Sequence, residues 1–269
     1  MKKKSDNYID FLKQKVYIAP QSGLDIEIGL TKFKDGTVLK PHQRDAINWA
    51  IKGGRRALFE SFGLGKTIQQ LLICQTIIEH VGGRALIVCP LGVRQEFSND
   101  AKNKLGKEVY YIKSMEDAEK LPDKSICITN YERVRDCGID PKYFTVTSLD
   151  EASVLRSYGS KTYQTFLEKF KGVKYKYVCT ATPSPNKYKE LIHYAGYLEI
   201  MDTGQALAQP LSAKILTPKG WVLMGDIKAG DMVVSANGKP TKVMSIHPQG
   251  FKDVYKVTFS DGSSTQCTI

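Results

Sequence analysis

The stretch "ESFGLGKT", residues 60–67, decides the fold. It follows the apolar run "RALF" and precedes "IQQLLICQTIIEH", so it reads as a turn between a strand and a helix. Gly63 and Gly65 permit a tight turn whose backbone N–H groups converge, and the helix N-terminus behind it adds partial positive charge. Such a loop suits phosphate. Lys66 would reach the β and γ phosphates of ATP and Thr67 would ligate Mg2+. The pattern G-x-x-x-x-G-K-[ST] is met except at its first position, where Glu60 stands. A Gly-rich turn with no ligand is the plainer alternative, and the strand-loop-helix setting argues against it.

Outward from this loop, strands and helices alternate. "KPHQRDAINWAIKGG" has Ala46, Ile47, Ala50 and Ile51 at helical spacing and a Gly pair as its stop. "RALIVCP", "EVYYI", "SICITN", "FTVTSLD" and "KYVCTATP" read as further strands, with helices such as "GVRQEFSNDAKNKL" and "YQTFLEKF" between them. Continuous apolar strands separated by helices predict an α/β fold, a parallel sheet covered on both faces. Chemistry then gathers at the carboxyl ends of the strands.

Three further stretches fit a nucleotide site. In "TSLDEAS", residues 147–153, an apolar strand ends in two carboxylates. Asp150 would hold hydrated magnesium and Glu151 would orient and deprotonate water; an acidic helix cap is the alternative. "TATP", residues 180–183, also ends a strand, and the Thr180 and Thr182 hydroxyls would connect the nucleotide site to a second binding surface. In "LKPHQ", residues 39–43, the Gln43 amide carries the paired donor and acceptor that an adenine edge requires.

The ordered set "LKPHQ", "GLGKT", "IVCP", "ITNYERV", "LDEAS", "TATP" resembles the first RecA-like domain of helicase superfamily two, and most of all the Swi/Snf-type ATPases in the compact forms carried by bacteriophages. The resemblance covers residues 36–207, after a basic lead-in over 1–35. It implies that Gln43 reads adenine, that Gly63, Gly65, Lys66 and Thr67 bind phosphate and magnesium, and that Lys66, Asp150 and Glu151 serve hydrolysis. Thr180 and Thr182 would couple ATP to DNA, with backbone contacts to duplex from "CPLGVRQEF" and "TNYERV". "DEAS" replaces the commoner DEAH or DEAD, which puts the coupling contact at Ser153 in question. This superfamily cleaves ATP between two RecA-like domains, with an arginine finger from the second worth roughly 10³–10⁵ in rate. Nothing after residue 207 resembles that second domain, so the expectation is a chain that binds ATP and hydrolyses it poorly.

After residue 207 the character changes. "KILT", "GWVLM", "DMVVSANGKPTKVMSI" and "VYKVTFSDGSS" are short strands broken by turn signals, which predicts an all-β segment. A small β-barrel accessory domain is the plainer reading, and with it a nucleotide-binding regulatory module without motor activity. The stretch also resembles the amino-terminal half of an intein, the protein-splicing form of the Hint fold, over residues 208–269. "ILTPKGWVLMGDIKAGD" is similar to the family's first splicing block, and "GSSTQCTI" runs toward the second, Thr-x-x-His, with Thr268 as its Thr. By that resemblance Ala208 is the first intein residue, although it lacks the usual Cys or Ser nucleophile. Pro210 or Ser212 are alternative junctions, and Ser212 is expected too deep in the first strand. A carboxyl-terminal intein fragment would be the partner. "FSDGSSTQCT" is expected to lack strands to pair with, leaving an exposed edge.

Bulk properties agree. The 269 residues are 42% hydrophobic and 25% charged, which suits a globular chain. No apolar run approaches the roughly 20 residues that span a bilayer, and no apolar segment follows the basic start as a signal peptide would require. The reading is a cytoplasmic protein of a bacterial or phage-infected cell, without a membrane partner. Six cysteines, at 74, 89, 127, 137, 179 and 267, form no Cys-x-x-Cys pair, so buried reduced thiols are expected and zinc is not. The net charge is +11, of which residues 208–269 hold seven Lys and four Asp. The remaining 32 basic and 24 acidic residues put most of the excess in the ATPase-like part, as DNA binding requires.

Overall fold

The computed structural model describes residues 20–156, 160–183, 190–200, 211–235 and 238–248, with backbone alone at 156, 190, 254–258 and 264–268. The described residues fall into two compact units, one over 20–200 and the other over 211–268.

The first unit is built on a six-stranded parallel sheet. Its strands are β1 (Arg55–Phe59), β2 (Ala85–Val88), β3 (Val109–Tyr111), β4 (Ile126–Thr129), β5 (Val146–Asp150) and β6 (Tyr175–Thr180), in the order β1-β6-β5-β2-β4-β3. The helices are α1 (Pro41–Gly53), α2 (Lys66–Val81), α3 (Arg94–Asp100), α4 (Met115–Glu119), α5 (Tyr131–Asp136), α6 (Lys161–Lys169) and α7 (Glu190–Tyr197). The expected α/β sheet is thus present. The single helix expected over "GVRQEFSNDAKNKL" is a 3-10 turn at Leu91–Val93, then α3, then a π turn at Ala101–Leu105 that Gly106 closes in the left-handed region.

Alternation along each strand divides the apolar residues between two cores. Ala85 and Ile87 of β2, with Tyr175, Tyr177 and Cys179 of β6, join Ile47 and Ile51 of α1 and Ile73 and Ile77 of α2. Leu86, Val88, Leu149 and Val178 point the other way, into Tyr131, Tyr163, Phe166 and Phe170. Every residue of β2, β4 and β6 is buried, which is why these strands read as largely apolar runs, Lys176 of β6 excepted. Each such aliphatic side chain contributes about 1.5–3 kcal/mol by leaving water.

Local signals set the ends. Pro41 opens α1, where the Gln43 side chain accepts the Lys40 N–H at 3.0 Å, and Gly54 closes it at φ 72°. Asn130 and Ser160 cap α5 and α6 by accepting backbone N–H groups of the first turn. Four of the cysteines, Cys74, Cys89, Cys127 and Cys179, are free and buried as expected; Cys137 is free but exposed. Burial pushes the thiols of Cys74, Cys89 and Cys127 up to about 12. Among the described residues no helix is long and apolar enough to cross a membrane.

Among the described residues the second unit holds three antiparallel pairs: β7 (Lys214–Thr217) with β8 (Gly220–Leu223), β9 (Met232–Val234) with β10 (Pro240–Lys242), and β11 (Val254–Thr258) with β12 (Ser264–Thr268). The β7–β8 turn is fixed by Thr217, whose hydroxyl donates to Gly220 O at 2.7 Å and accepts from Lys219 N at 3.2 Å. These pairs fit the all-β character expected of a partial Hint domain. Two expectations are corrected. The segment ending at Thr268 does have a partner, since Val254 lies opposite Thr268 and Thr258 opposite Ser264. Ser212 stands two residues ahead of β7 rather than deep within it. Ala208 and Pro210 lie outside the described residues.

Candidate nucleotide site

All six strands run in parallel, so the carboxyl ends of β1, β5 and β6 share one edge. Phe59 pairs with Thr180 and Asp150 with Cys179. The loop leaving β1 carries Gly63 at φ 79° and Gly65 at φ 83°, conformations that side chains with a Cβ adopt only under strain. At Gly65 a Cβ would also stand 2.3 Å from Gln43 Nε2. Gln43 is therefore packed against the loop, where its Nε2 donates to Leu64 O at 2.9 Å. With Lys40 N on its Oε1, the amide keeps one N–H and one lone pair for a ligand. The sequence-predicted adenine reader and the phosphate loop are thus brought together.

Lys66 opens α2, and its ammonium donates to Glu60 O at 2.9 Å and Ser61 O at 3.1 Å. The loop carbonyls hold it where a phosphate would compete for it. Glu60, at the position where the motif has Gly, accepts from Gln69 Nε2 at 2.7 Å.

Asp150 is the last residue of β5. Its Oδ1 accepts from Gln70 Nε2 at 2.7 Å, and its backbone carbonyl accepts from the Tyr131 hydroxyl at 2.7 Å. The carboxyl is raised to about 6, chiefly by burial and with help from the charges of Glu151 and Glu96, against the Gln70 hydrogen bond and the Lys66 charge. Glu151 follows at φ 48°, a left-handed conformation rare outside glycine. Its Oε1 accepts from Thr180 Oγ1 at 2.9 Å and from Thr182 Oγ1 at 3.4 Å, while Thr182 N donates to Thr180 Oγ1 at 3.1 Å. A carboxylate held on a strained backbone by two threonines at and just past the end of the neighbouring strand β6 is a usual mark of a functional position. Ser153 donates to Glu151 O at 3.4 Å, within the turn after β5.

The residues present fit magnesium. The Thr67 hydroxyl and the Asp150 carboxylate are hard oxygen donors, and a bound cation would offset the burial that raises the Asp150 carboxyl. Thr67 Oγ1 donates to Glu96 Oε1 at 2.9 Å, so a third carboxylate stands at the site.

Sequence reading missed Gln70, Ser148 and Glu96. Two of them carry a signal: Gln70 lies one turn after Lys66 on the same helix face, and Ser148 lies two residues before Asp150 on the same strand face. Polar residues at buried positions of apolar runs stand out on that basis. Glu96 is brought in by the turn after β2 and has no such mark. In the second unit, Thr268 is the end of β12, opposite Val254, and nothing of its side chain is described.

The family described as the SNF2-related domain matches residues 42–203. The SWI2/SNF2 ATPase core of Sulfolobus solfataricus, solved in complex with dsDNA, superposes with a TM-score of 0.53 at 19% identity, covering 68% of this chain and 39% of that one. A replicative DNA helicase DnaB of Mycobacterium intracellulare is 41% identical over 61 residues, which are 22% of this chain and 10% of that protein. The Msm DnaB1 intein splicing domain, solved with bound zinc, is 34% identical over 23% of this chain and 48% of its own, with a TM-score of 0.20. The chain thus spans a tenth of the curated relative and less than half of these solved chains.

Proposed function

The chain belongs to the SNF2-related family, and we propose that residues 36–207 are the ATP-binding RecA-like lobe of a DNA helicase or translocase. The observation that carries this reading is the shared edge where β1, β5 and β6 end. There the loop lysine and the Asp150–Glu151 pair meet the two threonines that hold Glu151. Loop N–H groups and Lys66 bind the β and γ phosphates, and the remaining Gln43 amide groups read adenine. Thr67 and Asp150 hold magnesium, which when bound neutralises charge on the phosphates. Glu151 accepts a proton from the attacking water. Thr180 and Thr182, bonded to Glu151, pass the state of that carboxylate to a DNA-facing surface. In this reading a second RecA-like domain supplies an arginine finger, so a polypeptide of these 269 residues binds ATP and turns it over slowly. Duplex DNA is the partner, bound through its backbone by the basic excess, and binding falls steeply with salt.

For residues 208–269 the reading is the amino-terminal part of an intein, with Ala208 first and Thr268 polarising the splice junction. Support comes from the antiparallel pairs that residues 214–268 form. Mixing the chain with a matching carboxyl-terminal intein fragment should yield a ligated product; no product with the cognate fragment would remove splicing from the account.

Calorimetric titration with Mg–ATP tests the lobe. Lys66→Ala should weaken binding by about 10–100-fold, the worth of a charge-assisted phosphate contact. Equal affinity of the two proteins would overturn the assignment.

A further inference from the structure

Gln70 and Ser148 belong to no part of the motif set, yet they are buried polar residues directly behind the metal carboxylate, at 0% and 1% exposure. Gln70 Nε2 donates to Asp150 Oδ1 at 2.7 Å, and Ser148 Oγ donates to Gln70 Oε1 at 2.7 Å. The direction of this chain is forced. An ionised carboxylate only accepts, so the amide nitrogen must face Asp150; the amide oxygen then faces Ser148, whose hydroxyl must donate. Both ends of the Gln70 amide are satisfied, and Asp150 Oδ2 has no partner among the described residues.

We propose that Gln70 is a positioning residue for Asp150. Ser148 fixes the amide's orientation, Gln70 then fixes the carboxylate's rotation, and Oδ2 is left as the oxygen offered to the magnesium of bound Mg–ATP. The inference rests on the nucleotide-site reading above. It adds a mechanical link that the motifs do not contain. Gln70 is one helical turn from Lys66 and Thr67 on α2, so the helix that opens at the phosphates also holds the carboxylate on β5. Outer partners of this kind orient a metal ligand, and their loss typically costs about 10–100-fold in metal affinity.

The test measures ATP dissociation constants of the 269-residue chain in Mg2+ and in EDTA. Gln70→Met keeps the volume and removes the donor. It should raise the Mg–ATP constant by about 10–100-fold and leave the EDTA constant unchanged, and Ser148→Ala should shift the same constant by less. A purely structural role would change both constants alike, and that result, or an unchanged Mg–ATP constant in a folded Gln70→Met protein, overturns the proposal. Thermal unfolding without nucleotide provides a second arm. Gln70→Met and Asp150→Asn should be non-additive, and additive effects would overturn the Gln70–Asp150 link even if ATP binding were lost for other reasons. Failure of the unsubstituted chain to bind ATP in either buffer, with the cycle still non-additive, would bring down the nucleotide site and the magnesium role of Gln70 with it, while keeping the bond.

Discussion

Thr180 Oγ1 donates to Glu151 Oε1 at 2.9 Å, joining the end of β6 to a residue whose own backbone is left-handed at φ 48°. The side chain is thus held by its neighbours on a backbone that a glutamate would not choose. Strain of this kind costs about 1–3 kcal/mol. Replacing Glu151 by Gly and by Ala removes the same carboxylate from two different backbones. At an ordinary interior position Ala is the more stable by roughly 0.5–1 kcal/mol; at 151 the order should reverse, with Glu151→Gly ahead by about 1 kcal/mol in chemical denaturation. Ala ahead of Gly would show that the backbone there is unstrained.

Gly65 should be intolerant for two separable reasons. A Cβ there meets the Gln43 amide at 2.3 Å, and φ 83° penalises any side chain. Gly65→Ala should lower stability by about 1–2 kcal/mol through the backbone alone and weaken Mg–ATP binding. Adding Gln43→Ala should recover part of the lost stability, because it removes the obstacle but leaves the φ. No recovery in the double variant would mean that the steric clash is absent.

At the opposite end of β6, the wholly buried Lys176 ammonium donates to Phe170 O at 3.2 Å, Tyr197 O at 2.8 Å and Glu199 Oε2 at 2.7 Å. Burial lowers Lys176 to about 8, against the hydrogen bond and charge of Glu199. Glu199 moves down as well: burial pushes it up, but Lys176 and Arg55 outweigh this, so it favours its charged form while Lys176 resists its own. Above pH 7 Glu199 stays ionised, so Lys176 sets the response. Its folded value lies below the unfolded 10.5, so the unfolded chain binds more protons between pH 8 and 10.5, and this residue's contribution to stability rises with pH there. Relative to Lys176→Met, the unsubstituted protein should gain about 2 kcal/mol between pH 7.5 and 9.5 in urea unfolding. A pH-independent difference would show that Lys176 titrates normally.

The sequence revealed the sheet because its strands are buried on both faces, as in "LIVC" and "YVCT", and because Gly and Pro punctuate the helices at Pro41, Gly54, Gly65 and Gly82. It singled out Lys66 and Thr67 because they follow the Gly-rich turn at the start of a helix, and Asp150 and Glu151 because they stand where the apolar run of β5 ends. It did not reveal α4 and α5 as helices: at five and six residues they are too short for a periodic pattern and are defined by the Ser114 and Asn130 caps. Glu96 was hidden because its role depends on a turn folding back to Thr67 across 29 residues. The pairing of β12 with β11 was hidden because "STQCT" is mostly polar and carries no apolar alternation of its own.

Hydrogen–deuterium exchange on the 269-residue chain, with and without Mg–ATP, tests the central claim most directly, because it reports where the nucleotide sits as well as whether it binds. The account predicts slowed exchange at the backbone amides of residues 60–67, with smaller protection at 147–153 and 180–183, and markedly less of it in Lys66→Ala at the same sub-saturating Mg–ATP concentration. Protection confined to other segments, or no protection at 60–67 under saturating Mg–ATP, would contradict it.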